Sequence, residues 1–111
     1  MKKVNQITND IIICYDVDNT LVMWGEEGST MIINYAPCRP HQKHINQIKE
    51  YHARGAYIIV WSHGGTEWAK KAVYTLGLED YVDLVMSKPR WVVDDQLPEQ
   101  LSEFYYLSEN D

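Results

Sequence analysis

Residues 11–15 read IIICY and run directly into Asp16-Val17-Asp18-Asn19-Thr20-Leu21. An unbroken apolar, β-rich run has no polar face, so it predicts a strand covered on both sides at the centre of a parallel sheet. That strand ends on a carboxylate. Working outward, YIIVW at 57–61, VDLVM at 82–86 and WVVDD at 91–95 are further strand candidates. Between the first two, Ile45, Ile48 and Tyr51 recur three residues apart over 41–54, and Gly55 supplies a helix stop. After the second, Trp68, Ala72 and Leu76 lie four apart over 66–77, a helix ended by Gly77. PEQLSEFYYL, with Pro98 near its first turn, predicts a short closing helix. Strands alternating with helices predict a three-layer, Rossmann-like α/β domain of right-handed βαβ units. The expected sheet is short and parallel, about four strands in the order 3-2-1-4, with helices on both faces.

After the first strand, LVMW and MIINY flank the polar GEEGS, which predicts a β-hairpin flap over about 22–35. Pro37 and Pro40 then read as a loop. The chain has 111 residues, 45% hydrophobic, 23% charged and 12% aromatic, which fits one domain over 1–111 and excludes disordered, collagenous and repeat architectures. Ten Lys and Arg against sixteen Asp and Glu give 10 − 16 = −6, a balance that repels nucleic-acid backbones at long range. MKKVNQITND has no apolar core of a signal peptide, and no apolar run approaches a membrane span. Cys14 lies in an apolar run and Cys38 between prolines. Such a pair makes no disulfide framework, so both are expected as reduced thiols in a cytoplasm, with Cys14 in the core. Cys38, His41 and His44 have metal-like spacing but lack a nearby fourth ligand. They read instead as a solvated helix start.

In parallel α/β sheets ligands bind beyond the carboxyl ends of the strands. At those ends the sequence places Asp16 with Asp18 and Thr20, then Ser62 on a Gly-rich turn, then Lys88, then Asp94 with Asp95. Carboxylates crowded on one rim repel each other unless a cation neutralises them. An all-oxygen set suits Mg²⁺, which takes carboxylates, waters and substrate phosphate in octahedral array. The residue types therefore point to a Mg²⁺ site that handles phosphate.

The order of these pieces resembles the haloacid dehalogenase (HAD) superfamily of phosphotransferases in a small, capless form. Asp16-Val17-Asp18-Asn19-Thr20-Leu21 resembles its first motif, Ser62 its second, Lys88 its third and Asp94-Asp95 its fourth, covering roughly residues 10–96. The resemblance implies a Mg²⁺-dependent phosphate monoester hydrolase that works through an aspartyl-phosphate. Asp16 would be the nucleophile and Asp18 the general acid and base. Mg²⁺ would be held by the Asp16 carboxylate, the Asp18 backbone carbonyl and Asp94, with Asp95 beside it. Thr20, Ser62, the amides of His63 to Gly65 and Lys88 would hold the phosphoryl oxygens. The chain departs from the usual pattern in three ways: Asn19 stands where many members have Gly, Lys88 lies only six residues before Asp94, and no cap domain is expected.

Two other functions fit the same residues: a non-catalytic Mg²⁺ or phosphoryl-binding module, and a nucleic-acid end-processing phosphatase. Retention of both Asp16 and Asp18 argues against the first, and the net charge against the second. A small phosphorylated substrate is thus the expected partner, rather than nucleic acid or membrane. Met23, Trp24, Met31, Ile32 and Ile33 make the flap too apolar to stand free in water. It is expected to pack over the Asp16 rim or against a second copy in a homodimer, with Trp24 placed to meet a leaving group.

Overall fold

The computed structural model describes residues 11–103. The first ten residues and the end of the expected closing helix lie outside them. The elements are β1 (Ile12–Asp16), β2 (Val22–Trp24), β3 (Met31–Ile33), β4 (Ala36–Pro40), α1 (Gln42–Ala53), β5 (Tyr57–Ser62), α2 (Thr66–Thr75), β6 (Leu84–Ser87) and a single turn, α3 (Pro98–Leu101). The α/β class is as expected. β1, β5 and β6 form a parallel sheet in that spatial order, and β2, β4 and β3 form a separate antiparallel sheet.

The parallel sheet departs from the expected 3-2-1-4 order because 91–95 forms no strand, leaving three strands among the described residues. The reason is reach. A strand parallel to β1 on its outer edge would start about 14 Å across the sheet from β6 and about 13 Å back from its end. The links from Ser87 to Trp91 stretch to about 14 Å at most, short of the roughly 19 Å required. Among the described residues β1 is therefore an edge strand, not a central one.

Its burial follows. Tyr15, Ile58 and Val60 are buried in one cluster with Ile45, Ile48 and Tyr51 of α1 and Ala69, Ala72 and Val73 of α2. The alternate positions Ile12, Tyr57 and Leu84 are exposed, as is Cys14. Two right-handed crossovers in the same direction put α1 and α2 on one face, so among the described residues these helices cover one face of the sheet rather than two. Cys14, expected in the core, lies on the open face. Cys38 is the buried thiol.

The flap differs as well. β2 and β3 do not pair with each other. Each pairs with β4, the stretch expected as a loop, so the small sheet spans 22–40 rather than 22–35. Proline cannot donate to a ladder and is tolerated where one side of a strand is unpaired. Pro40 is opposed by Val22 of β2 and Pro37 by Ile32 of β3; Cys38 alone has partners on both sides, Trp24 and Met31. Two three-residue neighbours, offset along β4, thus leave each proline paired with one strand only, and on its other side Pro37 merely accepts from the Gly25 amide.

α1 begins at His41, whose Nδ1 accepts from the amide of His44 at 3.3 Å. The expected solvated start is instead packed: His41 and His44 are buried, with rings stacked at 3.6 Å and 8°. α1 and α2 otherwise follow the sequence reading closely, and β5 and β6 shift by a residue or two. No helix among the described residues is long and apolar enough to cross a membrane.

Candidate functional site

The site forms where three strand ends meet. Asp16 closes β1, Ser62 closes β5 and sits opposite Ser87, and Lys88 follows β6. Parallel pairing of the strands brings all three ends to one rim. From the end of β1 the chain turns sharply: the amides of Thr20, Leu21 and Val22 all donate to the Val17 carbonyl. Asn19 holds φ at 60°, the left-handed region that Asn tolerates better than most side chains. His44 props this loop, its Nδ1 lying 2.7 Å from the Thr20 carbonyl oxygen. A carbonyl can only accept, so the ring nitrogen facing it carries the proton.

Within this frame the first carboxylate is held from both sides. Lys88 Nζ lies 3.0 Å from Asp16 Oδ1, and the Thr20 hydroxyl donates to Asp16 Oδ2 at 3.2 Å. Both partners of the ion pair are about a quarter to a third exposed. The attraction is therefore partly screened, and its main effect is on the geometry of the pair. The backbone amide of Lys88 donates to the Ser62 carbonyl, which fixes where the lysine leaves the sheet.

The second carboxylate is ringed by donors. Trp24 Nε1 donates to Asp18 Oδ1 at 3.0 Å, and Trp68 Nε1 to Oδ2 at 3.1 Å; Ser62 Oγ lies 3.4 Å from the same Oδ2. The two indoles stack on each other, centroids 5.9 Å apart at 26°. Trp24 comes from β2, so the small sheet reaches the rim, and Lys71 of α2 hydrogen-bonds Asn34 in the turn between β3 and β4. At the turn after β5, the Gly64 amide is folded back onto Ser62 Oγ at 2.9 Å and the Gly65 amide onto the Ser62 carbonyl. His63 is exposed in that turn.

Asp16, Asp18, Thr20, Ser62 and Lys88 are thus brought together. Asp94 and Asp95 are not. Both are exposed, and Asp94 Oδ1 accepts from the Gln96 amide at 2.9 Å, the bond of a local turn. No group of three or more His, Cys, Asp or Glu positioned to hold a metal occurs among the described residues. With 91–95 outside the sheet, these two carboxylates are not carried to the rim on a strand end. Asp16 and the Asp18 backbone remain as oxygen donors that suit Mg²⁺, an ion that keeps several waters and takes substrate phosphate as a ligand.

Sequence reasoning missed two contributors. Trp68 stands on the helical apolar spacing and reads as core. His44 reads as a solvated end. A donor-only indole next to the first turn of a helix, facing an acidic strand end, was the available signal for Trp68.

No curated protein and no solved structure matches the chain. A family model described as "Protein of unknown function (DUF705)" matches residues 2–109, nearly the full length, so the chain belongs to the DUF705 family.

Proposed function

We propose that the chain is a Mg²⁺-dependent phosphate monoester hydrolase of HAD type that acts through an aspartyl-phosphate. What carries the reading is the ion pair of Lys88 with Asp16 at 3.0 Å, which joins two residues distant in sequence at one sheet rim. A lysine there has a task in phosphoryl transfer. It orients one Asp16 oxygen and offsets the charge that an incoming phosphoryl group adds. Asp16 attacks phosphorus, its O–P bond forming as the ester O–P bond breaks. Asp18 gives its proton to the departing oxygen, then takes one from the water that hydrolyses the aspartyl-phosphate.

Ser62 and the turn at 63–65 lie where the phosphoryl oxygens would sit, once the amide of Gly64 exchanges Ser62 for phosphate. Mg²⁺, when bound, neutralises phosphoryl charge. The Asp16 carboxylate and the Asp18 carbonyl would hold it. Six residues link Lys88 to Asp94, about 20 Å at full stretch, enough for a loop to bring Asp94 and Asp95 back to the rim although a strand cannot. Their role as ligands belongs to the metal-loaded protein.

The test is a panel of phosphate monoesters, including nucleotides, phosphosugars, phosphopeptides and 3′-phosphorylated oligonucleotides, assayed with Mg²⁺ and with chelator. Turnover of small esters that chelator abolishes is the expected result. Binding of phosphate or Mg²⁺ without turnover returns the non-catalytic module, and turnover confined to oligonucleotides returns the end-processing phosphatase.

A further inference from the structure

We infer that Trp24 and Trp68 form an indole clamp that fixes the orientation of the Asp18 carboxylate, making them positioning residues for proton transfer to the leaving group. This rests on the hydrolase reading above. Indole nitrogen is a donor only, so each ring nitrogen must find an acceptor or stay unpaired. Here both find the same carboxylate, one on each oxygen: Trp24 bonds Oδ1 at 3.0 Å and Trp68 bonds Oδ2 at 3.1 Å. Two donors on two oxygens define the plane of the carboxylate, which one donor would leave free to rotate. Each carboxyl oxygen has two acceptor positions, so the clamp leaves the remainder open to a proton and to a substrate oxygen.

The convergence of the rings is built into the fold. They come from different elements, β2 of the small sheet and the first turn of α2, and are stacked at 5.9 Å and 26°. Room for Trp68 depends on Gly64, where a Cβ would stand 2.8 Å from Trp68 Cδ1. On the other side the Trp24 amide lies 3.4 Å from Asn19 Oδ1. Asp18 itself is exposed and would otherwise sample several rotamers, so the clamp replaces the burial that usually fixes a catalytic carboxylate.

The experiment uses Trp24→Phe and Trp68→Phe, which keep an aromatic ring and remove the N–H, and reads two quantities. In ¹H–¹⁵N spectra the indole signals that vanish in these two variants are expected to shift in Asp18→Ala, while those of Trp61 and Trp91 stay in place. In kinetics, a well-positioned proton donor matters for an alkyl phosphate, whose leaving oxygen must be protonated, and little for p-nitrophenyl phosphate. Each Phe variant is therefore expected to lower kcat/KM, which reports the steps up to departure of the leaving group, by about 10- to 100-fold on glycerol 2-phosphate and by no more than about threefold on p-nitrophenyl phosphate. Equal losses of kcat/KM on both esters would make the tryptophans merely structural and overturn the inference, as would indole signals that ignore Asp18→Ala. If the wild type turns over neither ester, the hydrolase reading falls and takes the catalytic purpose of the clamp with it. Indole shifts that persist in that case show that the contact survives on its own.

Discussion

At position 64 the turn after β5 has room for hydrogen and little more. A methyl there meets Trp68 Cδ1 at 2.8 Å and Ser62 Oγ at 3.2 Å, so it must push the indole away from Asp18 or the serine out of its turn. Overpacking of this kind costs about 1–3 kcal/mol. Gly64→Ala is expected to lower the melting temperature by several degrees and to move the Trp68 indole signal, which a thermal melt and an ¹H–¹⁵N spectrum check. Legibility at this scale follows from what each residue's neighbours announce. Asp16, Ser62 and Lys88 could be read as site residues because each ends or follows an apolar run, and parallel pairing carries strand ends to one rim. Trp68 could not, since its spacing along α2 is that of a core position and its N–H contact depends on a strand far away in sequence. Asp94 and Asp95 had the right composition, but 91–95 forms no strand that would carry them to the rim.

Among the elements, the small sheet is the least legible from sequence. Two prolines in five residues disguise β4 as a loop, and only the offset of β2 and β3 along it makes the strand permissible. The turn joining β3 to β4 carries the cost of this arrangement. Asn34 and Tyr35 both have positive φ, 51° and 66°, the pattern of a two-residue type I′ hairpin. Asn suits it. Tyr35 does not, since a left-handed conformation costs a non-glycine residue about 1–2 kcal/mol, and its fully exposed ring recovers nothing by packing. Tyr35→Gly creates the favoured Asn-Gly pair and is expected to stabilise by about 0.5–1 kcal/mol net of glycine's greater entropy loss. Denaturant unfolding should show a higher midpoint at unchanged slope. A lower midpoint would mean that Tyr35 has a partner this conformation does not include.

For the molecule as a whole, one core serves both sheets. Tyr15 and Val60 of the parallel sheet, Ile33 and Cys38 of the small one, and Tyr51 of α1 belong to a single buried cluster. The apolar runs and helical spacings made that core readable in advance, apart from the open face of the sheet, where the missing fourth strand and one-sided helices leave Ile12 and Leu84 exposed. The core has a signature in pH. Burial pushes the Cys38 thiol above its ordinary 9.0, and burial likewise raises the Tyr51 and Tyr15 hydroxyls above 10.0. The unfolded chain then loses these protons at lower pH than the folded one, so unfolding is favoured as the pH climbs past the ordinary values. Stability from these groups is fully present below pH 9 and is expected to fall from there upward, first through Cys38. Melting temperatures between pH 7 and 11 read it, with Cys38→Ala making the fall above pH 9 smaller while the Cys14 thiol, also raised by burial, still contributes to it.

The central claim is that the Asp16 carboxylate is the nucleophile of a phosphoryl transfer. Its most direct measurement is the rate of Mg²⁺-dependent phosphate release from p-nitrophenyl phosphate by wild type and by Asp16→Asn, each shown by circular dichroism to be folded. Asn keeps the shape of the side chain and removes its nucleophilicity. Release by the wild type that chelator stops is expected, with a rate at least about 10³-fold lower in the variant. A folded Asp16→Asn that releases phosphate at close to the wild-type rate would contradict it.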